Sequence, residues 1–302
     1  MSNVLRVNST APVAVQWRVA TYLELAKLRI LAMVLVATAV GFYLGLPGWA
    51  GIASAVLLLN TLFGTALSVA GANAINQYME VEQDGKMLRT CHRPLPSGRL
   101  ERREALAFGV GCGVGGVFWL TLFVGLLPGL LSAVAVLSYV FAYTPLKRST
   151  PLCVLIGAVP GAMPTMIGWA AGGGTIGLGA WLLFAILFFW QTAHFATIAW
   201  QHREDYARAG CVFWPTVDPS GKRTNRVLMM HTLGLIVASL LPAVYGQAGA
   251  LYAVGAAVLG AAFLACGVLF VMRKTTESAR FHLHSSLTYL PALFALMMLD
   301  KM

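Results

Sequence analysis

The chain alternates long apolar runs with short polar stretches. Nine runs are long enough to cross a bilayer, which needs about 20 apolar residues in helical form. They fall at about 24–46, 51–75, 104–122, 125–143, 152–171, 179–199, 227–246, 250–272 and 284–300. None shows the period-two alternation of a half-buried strand, so the pattern predicts helices only. The expected fold is an all-α polytopic membrane protein with nine transmembrane helices. One transmembrane domain is expected over 1–302, with a polar N-terminal segment at 1–20 and polar loops at 76–103 and 200–226.

Composition agrees. Only 11% of the 302 residues are charged against 58% hydrophobic, where soluble domains carry about 25% charged residues. The charges also test the span count. Arg6, Arg18, Lys27 and Arg29 precede or open the first run, and the other clusters fall in alternate loops. All of the 21 Lys and Arg except Lys301 lie on one side of the nine-span arrangement. The positive-inside rule then puts the N-terminus in the cytoplasm and the C-terminus outside. Ten of the 11 acidic residues share the basic side, so that side holds polar chemistry as well as orientation signals. The net charge of +10 resides in juxtamembrane loops and gives no argument for nucleic acid. The five cysteines have no paired spacing, which predicts neither disulfides nor a metal framework. No cleavable signal peptide is expected, and Arg6 and Arg18 alone are weak support for a mitochondrial presequence.

Most of the legible chemistry lies at 73–100. Asn76, Glu80 and Asp84 recur at every fourth position, so a helix places all three on one face. Three oxygen ligands on one face suit Mg²⁺, which takes few protein carboxylates and keeps room for phosphate oxygens. Arg89 and Arg93 follow at the same spacing, with Lys86 nearby, and guanidinium forks match phosphate geometry. Pro94, Pro96 and Gly98 are expected to end this helix. A metal-binding face followed by a basic face is what a diphosphate substrate needs; the bland reading is a solvated juxtamembrane loop.

A second polar cluster follows the sixth run. It begins at Gln191 and His194 and continues through Gln201 and Asp205 to Tyr206. Asp205 is a candidate second metal ligand opposite Asp84, so that two sites bridge one diphosphate. Lys147 and Arg148, at the end of the fourth run, are candidate diphosphate ligands or simple anchors. Lys27 and Arg29 have the same two readings. Gly111 and Gly115 form a GxxxG in the third run, which predicts close helix packing. Gly157, Pro160, Gly161 and Pro164 predict a broken helix beside a cavity. His231 reads as structural, and His282 and His284 carry no clear ligand signal.

These residues resemble a known family, the UbiA superfamily of intramembrane prenyltransferases, and within it the heme-farnesylating branch. The resemblance covers nearly the whole chain and implies nine transmembrane helices around a central cavity with a cytoplasmic polar cap, the loops at 76–103 and 200–226 forming the active site. Its first motif appears as Asn76, Glu80, Asp84, Met87, Arg89, Thr90, Arg93, Pro94, Leu95, Gly98 and Arg99. The Arg-Thr-x-x-Arg-Pro-Leu part is shared with quinone prenyltransferases. Glu80, the 143–148 stretch, the Gly157–Trp169 series, Trp190-Gln191 with His194-Phe195, and Asp205-Tyr206 with Ala209-Gly210 point to the heme branch. The chain departs from the pattern at Leu28, Cys153, Ala193, Gln201 and Phe213-Trp214. The resemblance implies transfer of farnesyl from farnesyl diphosphate to a vinyl group of heme B, in the lipid bilayer of the bacterial inner membrane. It implies Mg²⁺ on Asn76, Glu80, Asp84 and Asp205, and diphosphate on Arg89, Arg93, Lys147 and Arg148. His194 and Gln191 are implied in heme binding or proton handling, and heme A synthase or a terminal oxidase as the recipient of the product. A quinone or other aromatic prenyltransferase is the rival within this class; a secondary transporter of an anionic metabolite is the rival outside it.

Overall fold

The structure is a computed structural model that describes residues 11–302, with side chains from Arg18 onward. Arg6 and residues 1–10 of the polar N-terminal segment lie outside the described residues. The rest of that segment is helical. Helix α1 (Ala11–Ala26) precedes α2 (Leu28–Gly45), α3 (Ile52–Met79) and the short α4 (Val81–Lys86). Then come α5 (Arg102–Phe123) and α6 (Leu126–Leu137), which passes through a π-helical turn at Ser138–Tyr143 into α7 (Thr144–Leu146). The second half contains α8 (Cys153–Gly173), α9 (Leu178–Gln201), the short α10 (Arg203–Arg208) and α11 (Trp214–Val217), and the long α12 (Lys222–Val244), α13 (Ala250–Arg273) and α14 (Thr276–Leu299).

Eight spans among the described residues are long and apolar enough to cross a membrane. The ninth expected span is α14, equally long at 24 residues, whose first turns carry Glu277, Arg280, His282 and His284. The outer surface is consistently greasy: Leu59, Leu122 and Val254 are more than half exposed. A surface of such side chains is stable only against lipid. Helix α3, at 28 residues, exceeds the length a bilayer requires. Its last two turns therefore reach the polar end with Asn73, Asn76 and Gln77 still buried.

Helices α8 and α9 form the centre, each with more than half of its apolar length buried inside the bundle. Small residues let the helices around them approach. Gly41 and Gly45 of α2 lie against the backbone of Thr165 and Trp169 in α8. In α5 the packing face is Gly109, Gly113 and Gly116, which meets Gly64, Ser68 and Gly71 of α3. The predicted Gly111–Gly115 pair is not the contact: a side chain at either position would meet open space. Five glycines crowd this helix, and periodicity alone does not say which of its two glycine rows faces inward. The buried Ser132–Ser68 hydrogen bond (2.9 Å) ties α6 to the same seam.

The predicted break in α8 is also absent. Pro160 and Pro164 sit inside a continuous helix, each removing one ladder bond. Pro160, Pro164, Gly157 and Gly161 do line the central cavity, as expected. The main apolar core lies between α9, α12, α13 and α14, around Leu183, Ile186, Leu235, Tyr252, Phe263 and Leu293.

Candidate active site

The polar site is assembled where α1 meets α2. Gln77 Nε2 donates to Leu25 O (2.7 Å) and Asn73 Nδ2 to Ala26 O (3.0 Å), satisfying the last carbonyls of α1. The chain then turns at Lys27, which takes the left-handed backbone conformation (φ 56°). A lysine holds that conformation only where its surroundings impose it. The turn directs Lys27 Nζ onto Asn76 Oδ1 at 2.9 Å.

Asn76 is fixed at its other end too. Thr144 Oγ1 donates to Tyr139 O (2.8 Å), so it accepts from Asn76 Nδ2 (3.1 Å). The π-helical turn permits this, since it brings Thr144 back over the carbonyl five residues earlier. The amide oxygen of Asn76 therefore faces the site.

The predicted single helix through Asn76, Glu80 and Asp84 is interrupted at Glu80, where α3 gives way to α4. The four-residue spacing nonetheless persists across the junction, through Glu80 N to Asn76 O (3.0 Å) and Asp84 N to Glu80 O (2.8 Å). The three oxygen-bearing side chains each meet a cation. Besides the Lys27 contact, Lys147 pairs with Glu80 at 2.7 Å and Arg93 with the buried Asp84 at 2.7 Å. Arg148 reaches the same helix junction through Gln83 Oε1 (2.7 Å) and Met79 O (3.2 Å).

Arg89 and Arg93 were expected as one helical face. They are not, because α4 ends at Lys86 and residues 87–100 run as successive turns. Helix termination comes well before Pro94. Arg93 turns inward to Asp84, whereas Arg89 turns outward to the Tyr206 hydroxyl (3.2 Å) and lies over that ring. Asp205 does reach the first motif, accepting from Leu88 N at 3.4 Å, and it also pairs with Arg208. The Gln201 amide nitrogen is buried without a partner among the described residues.

Three cations (Arg93, Lys147, Arg148) and Lys27 beside them surround two carboxylates, so the cluster is net positive even with Lys27 neutral and suits a multiply charged anion. Burial, then the nearby Arg93 and Lys147 charges, pull Lys27 down to about 7. Burial opposes the charge of Lys147 as well, but Tyr143 and Glu80 beside it hold it well above the ordinary lysine value. No three His, Cys, Asp or Glu side chains converge on one point among the described residues. An all-protein cage is thus not what the site offers. Asn76, Glu80 and Asp84 supply hard oxygen donors only, which fits Mg²⁺ completed by oxygens of its ligand.

Below this cap lies a cavity of about 400 Å³ between α2, α3, α6, α8, α9 and α14. Its walls are mostly apolar and include Tyr139, Tyr143, Gln191 and His194. Tyr143 joins the two regions, since its ring lines the cavity and Lys147 Nζ sits 4.4 Å above its centre. Gly161 leaves room for the Gln191 amide, whose nitrogen is buried and unpartnered among the described residues. His194 Nδ1 lies 2.7 Å from Ser286 Oγ, and its ring stacks on Trp190 at 4.8 Å. His231 bonds Val227 O, while His282 packs on Phe263 in the core, outside the cavity wall.

The structure thus brings Asn76, Glu80, Asp84, Arg93, Lys147 and Arg148 together. It sets Arg89 and Asp205 at the rim and places Gln191 and His194 in the cavity wall. Thr144, Gln83 and Ser286 hold these groups, and their spacing to those groups has no local signature in the sequence. Lys27, which reads either as an anchor or as a site residue, lies within the cluster through its contact with Asn76.

A bundle of membrane-crossing helices with a lipid-depth apolar cavity under a cationic, carboxylate-bearing cap defines an intramembrane enzyme class acting on amphiphilic anions. The chain belongs to the UbiA prenyltransferase family, whose model matches residues 34–287. Among its relatives is the protoheme IX farnesyltransferase of Solibacter usitatus, 46% identical over 93% of this chain and 98% of the relative. That of Myxococcus xanthus is 40% identical over 92% and 94% of the two chains. Two solved structures share the fold at low identity. A digeranylgeranylglyceryl phosphate synthase gives a TM-score of 0.78 at 18% identity, covering 93% of this chain and 98% of its own. A UbiA homologue from Archaeoglobus fulgidus bound to GPP and Mg²⁺ gives 0.63 at 17%, covering 92% and 99%.

Proposed function

We propose that this protein transfers the farnesyl group of farnesyl diphosphate to a vinyl group of heme B, with addition of water, giving heme O and diphosphate. The observation that carries the reading is the junction at Tyr143, where a charged cap and a deep apolar cavity share one wall. A prenyl diphosphate has the same two-part character. The near-full-length relatives that act as protoheme IX farnesyltransferases support heme as the acceptor.

Lys147, Arg148, Arg93 and Arg89 bind the diphosphate through charge-assisted hydrogen bonds. Asn76, Glu80 and Asp84, with Asp205 from the opposite loop, would hold Mg²⁺; bound there, it neutralises charge on the departing diphosphate. The Archaeoglobus homologue's Mg²⁺ and GPP support that assignment. The bond between C1 and the diphosphate oxygen breaks, and its electron pair leaves with the diphosphate. The vinyl π pair then forms the new bond to C1, and the cation left on the side chain takes up water and releases a proton. The apolar walls keep bulk water from the allylic cation until the vinyl group has reacted.

The excess of basic residues in the cap loops supports a cytoplasmic cap and N-terminus and an outside C-terminus, in the inner membrane of a bacterium. Heme A synthase or a terminal oxidase is the expected consumer of the product. The test is competition: heme B and an aromatic quinone precursor are supplied together with farnesyl diphosphate and Mg²⁺. Farnesylation of heme alone supports the reading, and farnesylation of the aromatic compound replaces it.

A further inference from the structure

Ser286 Oγ lies 2.6 Å from Leu283 O and 2.7 Å from His194 Nδ1. A hydroxyl has one proton, and a carbonyl has none to give back. When the Ser286 proton goes to Leu283 O, its oxygen accepts from Nδ1–H of His194, and both contacts become hydrogen bonds. The opposite arrangement, with the hydroxyl donating to a bare Nδ1, satisfies only one of the two. The two-bond arrangement therefore sets the tautomer: His194 is protonated on Nδ1 and carries a free lone pair on Nε2. The ring plane is set by the same turn of α14. Trp190 stacks on His194, and its indole N–H donates to Ser286 O at 2.8 Å.

A histidine fixed in this way, in the wall of the central cavity, presents a neutral nitrogen base to whatever occupies that cavity. Two roles use such a lone pair, proton acceptance and metal ligation. An imidazole that takes up a proton is stabilised by a carboxylate on its far nitrogen. His194 has a neutral hydroxyl there, and no carboxylate bonds the ring among the described residues. Neutral imidazole whose second nitrogen donates to a fixed oxygen is the usual form of a metal-bound histidine. Heme iron is a metal that imidazole suits.

We propose that His194 Nε2 is the axial ligand to the iron of heme B in the acceptor complex, and that Ser286 is its positioning residue. This rests on the reading of heme as the acceptor. The bond anchors the porphyrin against α9 by its iron, leaving the vinyl edge free to meet the allylic carbon. It also explains how a cavity with so few polar groups selects a large planar acceptor: the iron is recognised as well as the ring.

The test uses the full-length protein in lipid nanodiscs, loaded with heme B and without farnesyl diphosphate. Resonance Raman of the ferrous complex reads the iron–histidine stretch. The wild type is expected to show it, as is His231→Ala. His194→Ala is expected to lose it, to bind heme at least tenfold more weakly, and to recover binding on addition of imidazole. Ser286→Ala is expected to keep the ligand but lower the stretch frequency, because the hydrogen bond that raises the basicity of Nε2 is gone; Ser286→Thr restores it. A merely structural serine would leave the frequency where it is. Retention of the stretch in folded His194→Ala, or its absence from the wild type, overturns the ligand assignment. An unchanged frequency in Ser286→Ala overturns the positioning role. Farnesylation of heme by the wild type, measured separately by mass, tells failure of this proposal from failure of the acceptor assignment.

Discussion

Substituting Asp84→Asn separates the catalytic from the structural use of a buried carboxylate. Asp84 is 1% exposed and pairs with Arg93 at 2.7 Å, while Arg93 keeps 25% of its side-chain surface. Breaking a fully buried pair by removing one charge costs about 3–5 kcal/mol. Arg93 can swing to water, which discounts the loss to about 1–2 kcal/mol. The asparagine also remains able to accept from Arg93, and the Thr90 hydroxyl bonds the main-chain oxygen of residue 84, which the substitution leaves in place. The variant is expected to insert, purify and melt within a few degrees of the wild type. Its turnover is expected to fall far more, because a carboxylate that would hold Mg²⁺ against the leaving group is lost, and charge stabilisation of that kind contributes about 10²–10³-fold. The assay is Mg²⁺-dependent diphosphate release together with thermal melting in detergent. Near-normal turnover in a folded Asp84→Asn protein refutes the metal face; a collapse in melting temperature that accounts for the lost turnover refutes the division of roles.

Thr144→Val leaves Asn76 Nδ2 unpaired, at a cost of about 1–3 kcal/mol. It is expected to weaken Mg²⁺ binding measured by titration calorimetry, with Thr144→Ser close to wild type. Gly71→Ala drives a methyl into the backbone of Gly113 and is expected to lower the melting temperature sharply. Gly111→Ala meets open space and is expected to be neutral or stabilising by up to about 1 kcal/mol. Asp300→Ala removes the acceptor for Tyr252 N (2.7 Å) at the start of α13, with an expected loss of about 1 kcal/mol in a melting experiment. Chelation of divalent cations is expected to abolish turnover, and added Mg²⁺ to restore it.

The membrane spans were legible because an apolar run of bilayer length has few alternative folds. The face of Asn76, Glu80 and Asp84 was legible because its spacing survives the change of helix at Glu80. What the sequence hid was tertiary. The junction at Glu80 is set by Lys147 and Arg148, more than 60 positions away. Arg89 and Arg93 share a helical spacing but lie in turns, so one serves Tyr206 and the other Asp84. In α5 the glycines allow two packing faces, and only the partner α3 chooses between them. Gly157 and Gly161 are spacers for Tyr143 and Gln191, where the pattern suggested a break. Lys27 gave no sign of its left-handed turn, which depends on Asn73 and Gln77 taking the carbonyls of the preceding helix.

The most direct test of the central claim is mass analysis of heme extracted after incubating the purified protein with heme B, farnesyl diphosphate and Mg²⁺. The account predicts a product heavier than heme B by one farnesyl group plus one hydroxyl group, formed only when all three are present. Unchanged heme from a folded, heme-loaded protein would contradict it.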